Sequence, residues 1–211
     1  MVITFYGEGC FKLQSGDFNV LSDPFDNKTG LTPPRFKANI ILKTLTSFPL
    51  EKETVTGAEC LISGAGEYNI GNASIDGFSL PKESSEKFLK TIYLVEMEGF
   101  KICFLGHLSD MPDPAALEHL EGIDILFIPA GGKPFVDQKS AAKITKNINP
   151  KIVVPSFFKI PSLKRSADNI NNFIEEFNGA KKEKNEPQEK FTIKKKDLAA
   201  IKKTEIIILK P

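Results

Sequence analysis

Three apolar runs restrict this chain more than any other feature. NIILKTL (39–45), IDILFIP (123–129) and KIVVP (151–155) show no alternation of apolar and polar residues. A strand with one face in water alternates with period two, so a continuous apolar strand must be covered on both faces. Sheets of that kind need layers on either side. Shorter strand-like runs, VITFY (2–6), CFKLQ (10–14) and FNVLS (18–22), precede them, separated by the turn-prone Gly-Glu-Gly and Ser-Gly-Asp. NIILKTL reads as one continuous strand. ECLIS, YNI, ASIDGF, TIYLVEME and FKICFLG extend the strand-rich half.

The second half alternates strand and helix. Asp113-Pro114 has the form of a helix start, an Asp cap followed by Pro at the first helical position, and Gly122 closes that helix. DQKSAAKITKNI is amphipathic with Asp137 as its cap, and SADNINNFIEEF is a third helix. The polar stretch 178–190 reads as a mobile charged loop. FTIKK and TEIIILKP close the chain as strands around a short KDLAAI turn. Strands first, then alternation, then a closing strand pair predict one domain over 1–211. Its expected architecture is an αββα four-layer sandwich, two mixed sheets face to face with helices outside.

Composition narrows the function classes. With 28 Lys and Arg against 27 Asp and Glu the formal charge is +1, which offers no general attraction to nucleic acid or an anionic membrane. The run Lys194-Lys195-Lys196, followed at once by Asp197, reads as a solvated face. The chain opens on a strand-like run, so no secretory leader is expected, and no stretch reaches membrane-spanning length. Cys10, Cys60 and Cys103 are scattered and odd in number, consistent with a reduced, cytoplasmic setting in which all three are small buried apolar residues.

A set of landmarks carries a family likeness: GEGCF (7–11), SDPF (22–25), SGAGEYNI (63–70), ICFLGHLSD (102–110), IDILFIPAGG (123–132) and NPKIVVPSFFK (149–159). In order and spacing they resemble the metallo-β-lactamase superfamily, in its branch of small Zn-dependent hydrolases related to ascorbate-6-phosphate lactonase. The resemblance implies the same αββα sandwich, zinc as cofactor and hydrolysis as activity. The family builds its metal site from a His-x-His-x-Asp-His run, a later His, the Asp of an LGD turn and a last His. Here that run falls on Leu45, Ser47, Pro49 and Leu50. No histidine stands near 79–83, the LGD position is His107 with Asp110 after it, the last His is Phe157, and an early histidine of the family is Glu8.

Leucine, proline and phenylalanine have no lone pair for a metal, and a serine hydroxyl is a poor zinc ligand. The chain has two histidines, His107 and His119, and His119 falls on a helix, exposed or at a packing edge. Asp124 lacks the spacing to compensate. The expectation is therefore no zinc or other cofactor, no confident catalytic residue, and a non-catalytic binding or assembly module. Leu45, Phe48, Leu50 and Phe157 would fill the emptied cavity with apolar surface. The alternative is a metal-dependent hydrolase with a site remodelled around Glu8, His107 and Asp110; under the plainer reading His107 and Asp110 cap a strand–helix turn and bond local backbone or each other. A nucleic-acid-processing relative is a third reading, opposed by the charge balance. Ser47 has no neighbouring histidine to activate it, and the glycines of PAGG (129–132) either line the cleft or make a tight turn. No partner is named by the sequence; a pairing surface for a homo-oligomer stays open.

Overall fold

A computed structural model describes residues 1–49, 58–179 and 186–211. In chain order the elements are β1 (Val2–Gly7), β2 (Cys10–Ser15), β3 (Phe18–Ser22), β4 (Ala38–Leu42), β5 (Leu45–Ser47), β6 (Ala58–Ile62), β7 (Gly66–Ile70), β8 (Ala73–Ser79), β9 (Phe88–Met97), β10 (Phe100–Phe104), α1 (Pro114–Glu118), β11 (Ile125–Pro129), α2 (Gln138–Ile148), β12 (Ile152–Ser156), α3 (Ile170–Asn178), β13 (Lys190–Thr192) and β14 (Glu205–Ile206). The described strands form two mixed sheets. One runs β13-β1-β2-β3-β4-β6; the other runs β14-β12-β11-β10-β9-β8-β7, with β5 also paired to β9.

The core lies between the sheets. Ile3, Phe5 and Leu13 of the first sheet and Tyr93, Ile102 and Phe127 of the second are fully or almost fully buried. A line of rings crosses the interface: Phe5 stacks on Phe11 with centroids 4.7 Å apart, Phe11 meets Phe127 at 4.5 Å, and Phe127 stacks on Phe104 at 4.4 Å. Tyr93 ties the sheets through its hydroxyl, which accepts from the Gly64 N–H at 2.8 Å and lies 3.1 Å from the Lys43 carbonyl.

Asp137 caps α2 through the Ser140 N–H. Asp113 precedes α1, but its carboxylate takes Lys82 Nζ at 2.6 Å and makes no cap bond. The third helix starts later than SADNINNFIEEF implies, because Asn169 is the residue whose side chain caps it, through the Asn171 N–H. α2 packs on α3 and on β11. On the outer face of the first sheet Cys10, Leu21, Ala38 and Ile41 form a second apolar cluster packed by Tyr6, Phe25 and Phe36. Cys10 and Cys103 are buried; Cys60 is half-buried, not fully buried as expected. Of the 178–190 stretch, 180–185 lie outside the described residues; Gln188 bridges to Leu209 and Lys190 opens β13.

The run NIILKTL is not one strand. β4 ends at Leu42, and β5 begins at Leu45 in the other sheet, pairing Leu45–Ser47 with Phe88–Lys90. The two residues between them change partners. Lys43 N donates to the Ile62 carbonyl, while Thr44 N leaves the backbone ladder for the Asp23 carboxylate. That crossing places Thr44 at the centre of the candidate site.

Candidate functional site

β3 and β4 are a parallel pair, and so are β10 with β11 and β11 with β12. Parallel strands leave their carboxyl ends on one edge, where open α/β sheets present ligand crevices. Asp23 follows β3, Thr44 follows β4, His107 follows β10 and Phe157 follows β12. Glu8 joins them from the β1–β2 turn. Ser22 fixes that turn, accepting from Phe11 N and donating to the Gly9 carbonyl at 2.6 Å. The Glu8 carbonyl in turn accepts from Phe157 N. Glu8, Asp23 and Phe157 all hold positive φ, a conformation that costs a non-glycine residue roughly 1–3 kcal/mol and collects at functional sites.

Glu8, Asp23, His107 and Phe157, with Phe25, Lys43, Leu45, Phe135 and Arg165, line a cavity of about 330 Å³. Two polar networks occupy it. In the first, Arg165 grips Glu8 with a forked contact: Nε lies 2.9 and 3.0 Å from the two carboxylate oxygens and Nη2 lies 2.6 Å from Oε2. Nη2 also reaches the Phe157 carbonyl, and Nη1 donates to the Ser166 carbonyl at 3.0 Å. The guanidinium lies over the Phe135 ring. Both partners are largely shielded from solvent, with side chains 24% and 12% exposed.

In the second network Asp23 accepts from Thr44 N at 2.8 Å and from Thr44 Oγ1 at 2.6 Å, and Thr44 Oγ1 lies 2.7 Å from His107 Nδ1. Burial pushes the Asp23 carboxyl up from its ordinary range, while His107 and the Thr44 bonds pull it back. Burial also holds the His107 imidazole below its ordinary value, against the opposing pull of Asp23.

The structure brings Glu8 and His107 to this cavity and places Asp110 elsewhere. Asp110 lines a separate hollow with Pro81, Glu83 and Met111; its N–H donates to Glu83 Oε1 and its carboxylate caps Met111 N. The reason is local. Glu83 takes Ser109 N, Ser109 Oγ and Lys90 Nζ at 2.6–2.9 Å, which pins the 107–111 loop with Asp110 turned to that side. Leu45 and Phe157 line the cavity as expected. Phe48 does not fill it: pairing of β5 with β9 carries the chain away, leaving Phe48 41% exposed and Ser47 and Pro49 exposed beside it. Leu50 lies outside the described residues. His119 is exposed and stacks on Phe78 at 4.5 Å.

Three residues of the site carried no sequence expectation. Asp23 stands directly after an apolar strand, the position where a turn residue reaches a crevice, and that signal was available; Thr44 lies inside the run NIILKTL, where nothing local marks the crossing. Arg165 sits in the polar stretch SLKRSADN, 157 residues from its partner Glu8, and nothing local marks it.

A family model described as the beta-lactamase superfamily domain matches residues 2–156. The chain belongs to the metallo-β-lactamase superfamily. A UPF0173 metal-dependent hydrolase of Natranaerobius thermophilus is 25% identical over 183 residues, 74% of this chain and 82% of that protein. A UPF0173 protein of Pyrococcus abyssi is 23% identical over 183 residues, 75% of this chain and 83% of that one. Among solved structures, a Zn-dependent hydrolase of the superfamily from Thermotoga maritima superposes with a TM-score of 0.79 at 22% identity, covering 99% of this chain and 97% of that one. A metallo hydrolase of Ignicoccus hospitalis gives 0.61 at 14%, covering 98% and 94%.

Zinc is the metal the superfamily implies, and the donors here do not fit it. A superfamily metal centre needs several imidazole and carboxylate lone pairs converging on one point. Among the described residues no group of three or more His, Cys, Asp or Glu side chains is placed to hold an ion. Both Glu8 oxygens face the Arg165 fork, both Asp23 oxygens face Thr44, and a guanidinium cation lines the same cavity.

Proposed function

We propose that this chain is a metal-independent member of the superfamily, a binding module with an internal ion pair in place of a metal centre. The observation that carries the reading is the Arg165 guanidinium, forked onto Glu8 inside the cavity. A fixed positive charge there repels a divalent cation, and it already occupies the carboxylate such a cation would use. The apolar lining from Leu45, Phe135 and Phe157 adds no lone pairs. Loss of hydrolysis of the parent kind follows if no bound water can be activated to hydroxide.

A second reading is a metal-dependent hydrolase remodelled around Glu8, His107 and Asp110. It is favoured by the name of the Natranaerobius relative and weakened by the separation of Asp110 from the other two. Elemental analysis of the full chain purified without chelator decides between them, together with melting curves in added zinc. The proposal expects zinc, manganese and iron far below one equivalent and no saturable rise in melting temperature. One equivalent of metal, lost on His107→Ala, would replace it with the hydrolase.

A further inference from the structure

One atom of the second network is left over, and it has a direction of proton bookkeeping attached. Thr44 has a single hydroxyl proton. Thr44 Oγ1 donates that proton to Asp23 Oδ2 at 2.6 Å. The 2.7 Å contact between Thr44 Oγ1 and His107 Nδ1 then requires Nδ1 to be the donor. The neutral imidazole is thereby fixed in its Nδ1–H form, with an unshared pair on Nε2. The described residues give Nε2 no hydrogen-bond partner, and it is not among their sealed, unpartnered polar atoms. His107 lines the cavity, 21% exposed.

The surroundings of that lone pair select what can meet it. The His107 ring lies 4.9 Å from the Phe157 ring and 5.7 Å from that of Phe135, which are themselves 4.1 Å apart. Leu45, Pro24 and Phe25 extend the apolar wall. A cavity of about 330 Å³ is at the small end of sites that enclose organic molecules. An anionic ligand would face the carboxylates of Glu8 and Asp23. A cationic ligand would face Arg165. A neutral aromatic body with one hydroxyl donor meets neither objection.

We propose that the cavity is a binding site for a small phenol, whose hydroxyl donates to His107 Nε2 and whose ring packs on Leu45, Phe135 and Phe157. The inference rests on the metal-independent reading, since zinc would compete for the same nitrogen.

The full chain with ¹⁵N-labelled histidine tests it by NMR, with exposed His119 as the internal control. The free protein should show His107 in its Nδ1–H form. Added phenol should shift His107 Nε2 saturably, and anisole, which keeps the ring but lacks the donor, should bind at least about tenfold more weakly. Benzoate should leave the signal unmoved. Leu45→Trp should abolish the phenol response while the His107 tautomer persists, showing a filled cavity and not an unfolded chain. A proton on Nε2 in the free protein, equal binding of phenol and anisole, or no response to phenol would overturn the proposal. Zinc added alone separates the two readings. A stoichiometric shift of Nε2 by zinc sinks the metal-independent reading, whereas silence to both zinc and phenol sinks only the phenol site.

Discussion

At the scale of single residues, two polar pairings dominate the site. Glu8 and Arg165 are each mostly buried, so removing one leaves the other charged without a partner. Glu8→Gln or Arg165→Met alone should lower stability by roughly 2–4 kcal/mol in chemical denaturation, below the full cost for a sealed pair because solvent still reaches the fork. The double variant should lose less than the sum of the two, the mark of a coupled pair. The second pairing predicts a pH dependence. Burial lowers the folded-state pKa of His107, so the unfolded chain binds more protons between the folded and unfolded values. Stability is therefore complete above the ordinary imidazole pKa of about 6.5 and declines as pH falls below it. Melting temperatures of His107→Gln should decline less over that range than those of the unsubstituted chain. Asp23 acts in the opposite sense. Its pKa is raised, so its contribution weakens as pH rises from the ordinary carboxylate range, and Asp23→Asn isolates it.

At the scale of elements, the strand ends hold the cavity open through close backbone contacts. A methyl group at Gly131 would lie 1.9 Å from the Phe157 carbonyl oxygen, which is backbone and cannot swing aside. The glycine of PAGG thus admits the chain after β12, not a ligand. Gly131→Ala should force the two strand ends apart, seen as a large drop in melting temperature and in soluble yield. Tyr93 makes a different connection, one hydroxyl serving Gly64 N and the Lys43 carbonyl. Tyr93→Phe keeps the packing but leaves those groups unsatisfied, and should cost about 1–3 kcal/mol in denaturant unfolding. Much of this level was legible in the sequence. The β1 to β3 runs and the Asp137 cap follow from local patterns of apolar residues and side-chain oxygens. The division of NIILKTL between two sheets was not legible, because it depends on Thr44 finding Asp23, 21 residues away. The placement of Asp110 was hidden for the same kind of reason: Glu83 captures its loop from 27 residues away.

At the scale of the whole molecule, the continuous apolar strands did imply two sheets covered on both faces, and the superfamily match over residues 2–156 agrees. The absence of a histidine set could be counted directly from two histidines in 211 residues. The Glu8–Arg165 pair could not be read that way, since an ion pair spanning 157 residues leaves no periodic trace. No helix of the described residues is long and apolar enough to cross a membrane. On the reading proposed above, Arg165 keeps a divalent cation out of the cavity by holding Glu8. A crystal of the full chain soaked in zinc, with diffraction recorded at the zinc absorption edge, tests it most directly. The expected map has no anomalous peak in the cavity and Arg165 still forked onto Glu8; a full-occupancy peak bonded to Glu8 and His107, with Arg165 swung out, would overturn the metal-independent reading.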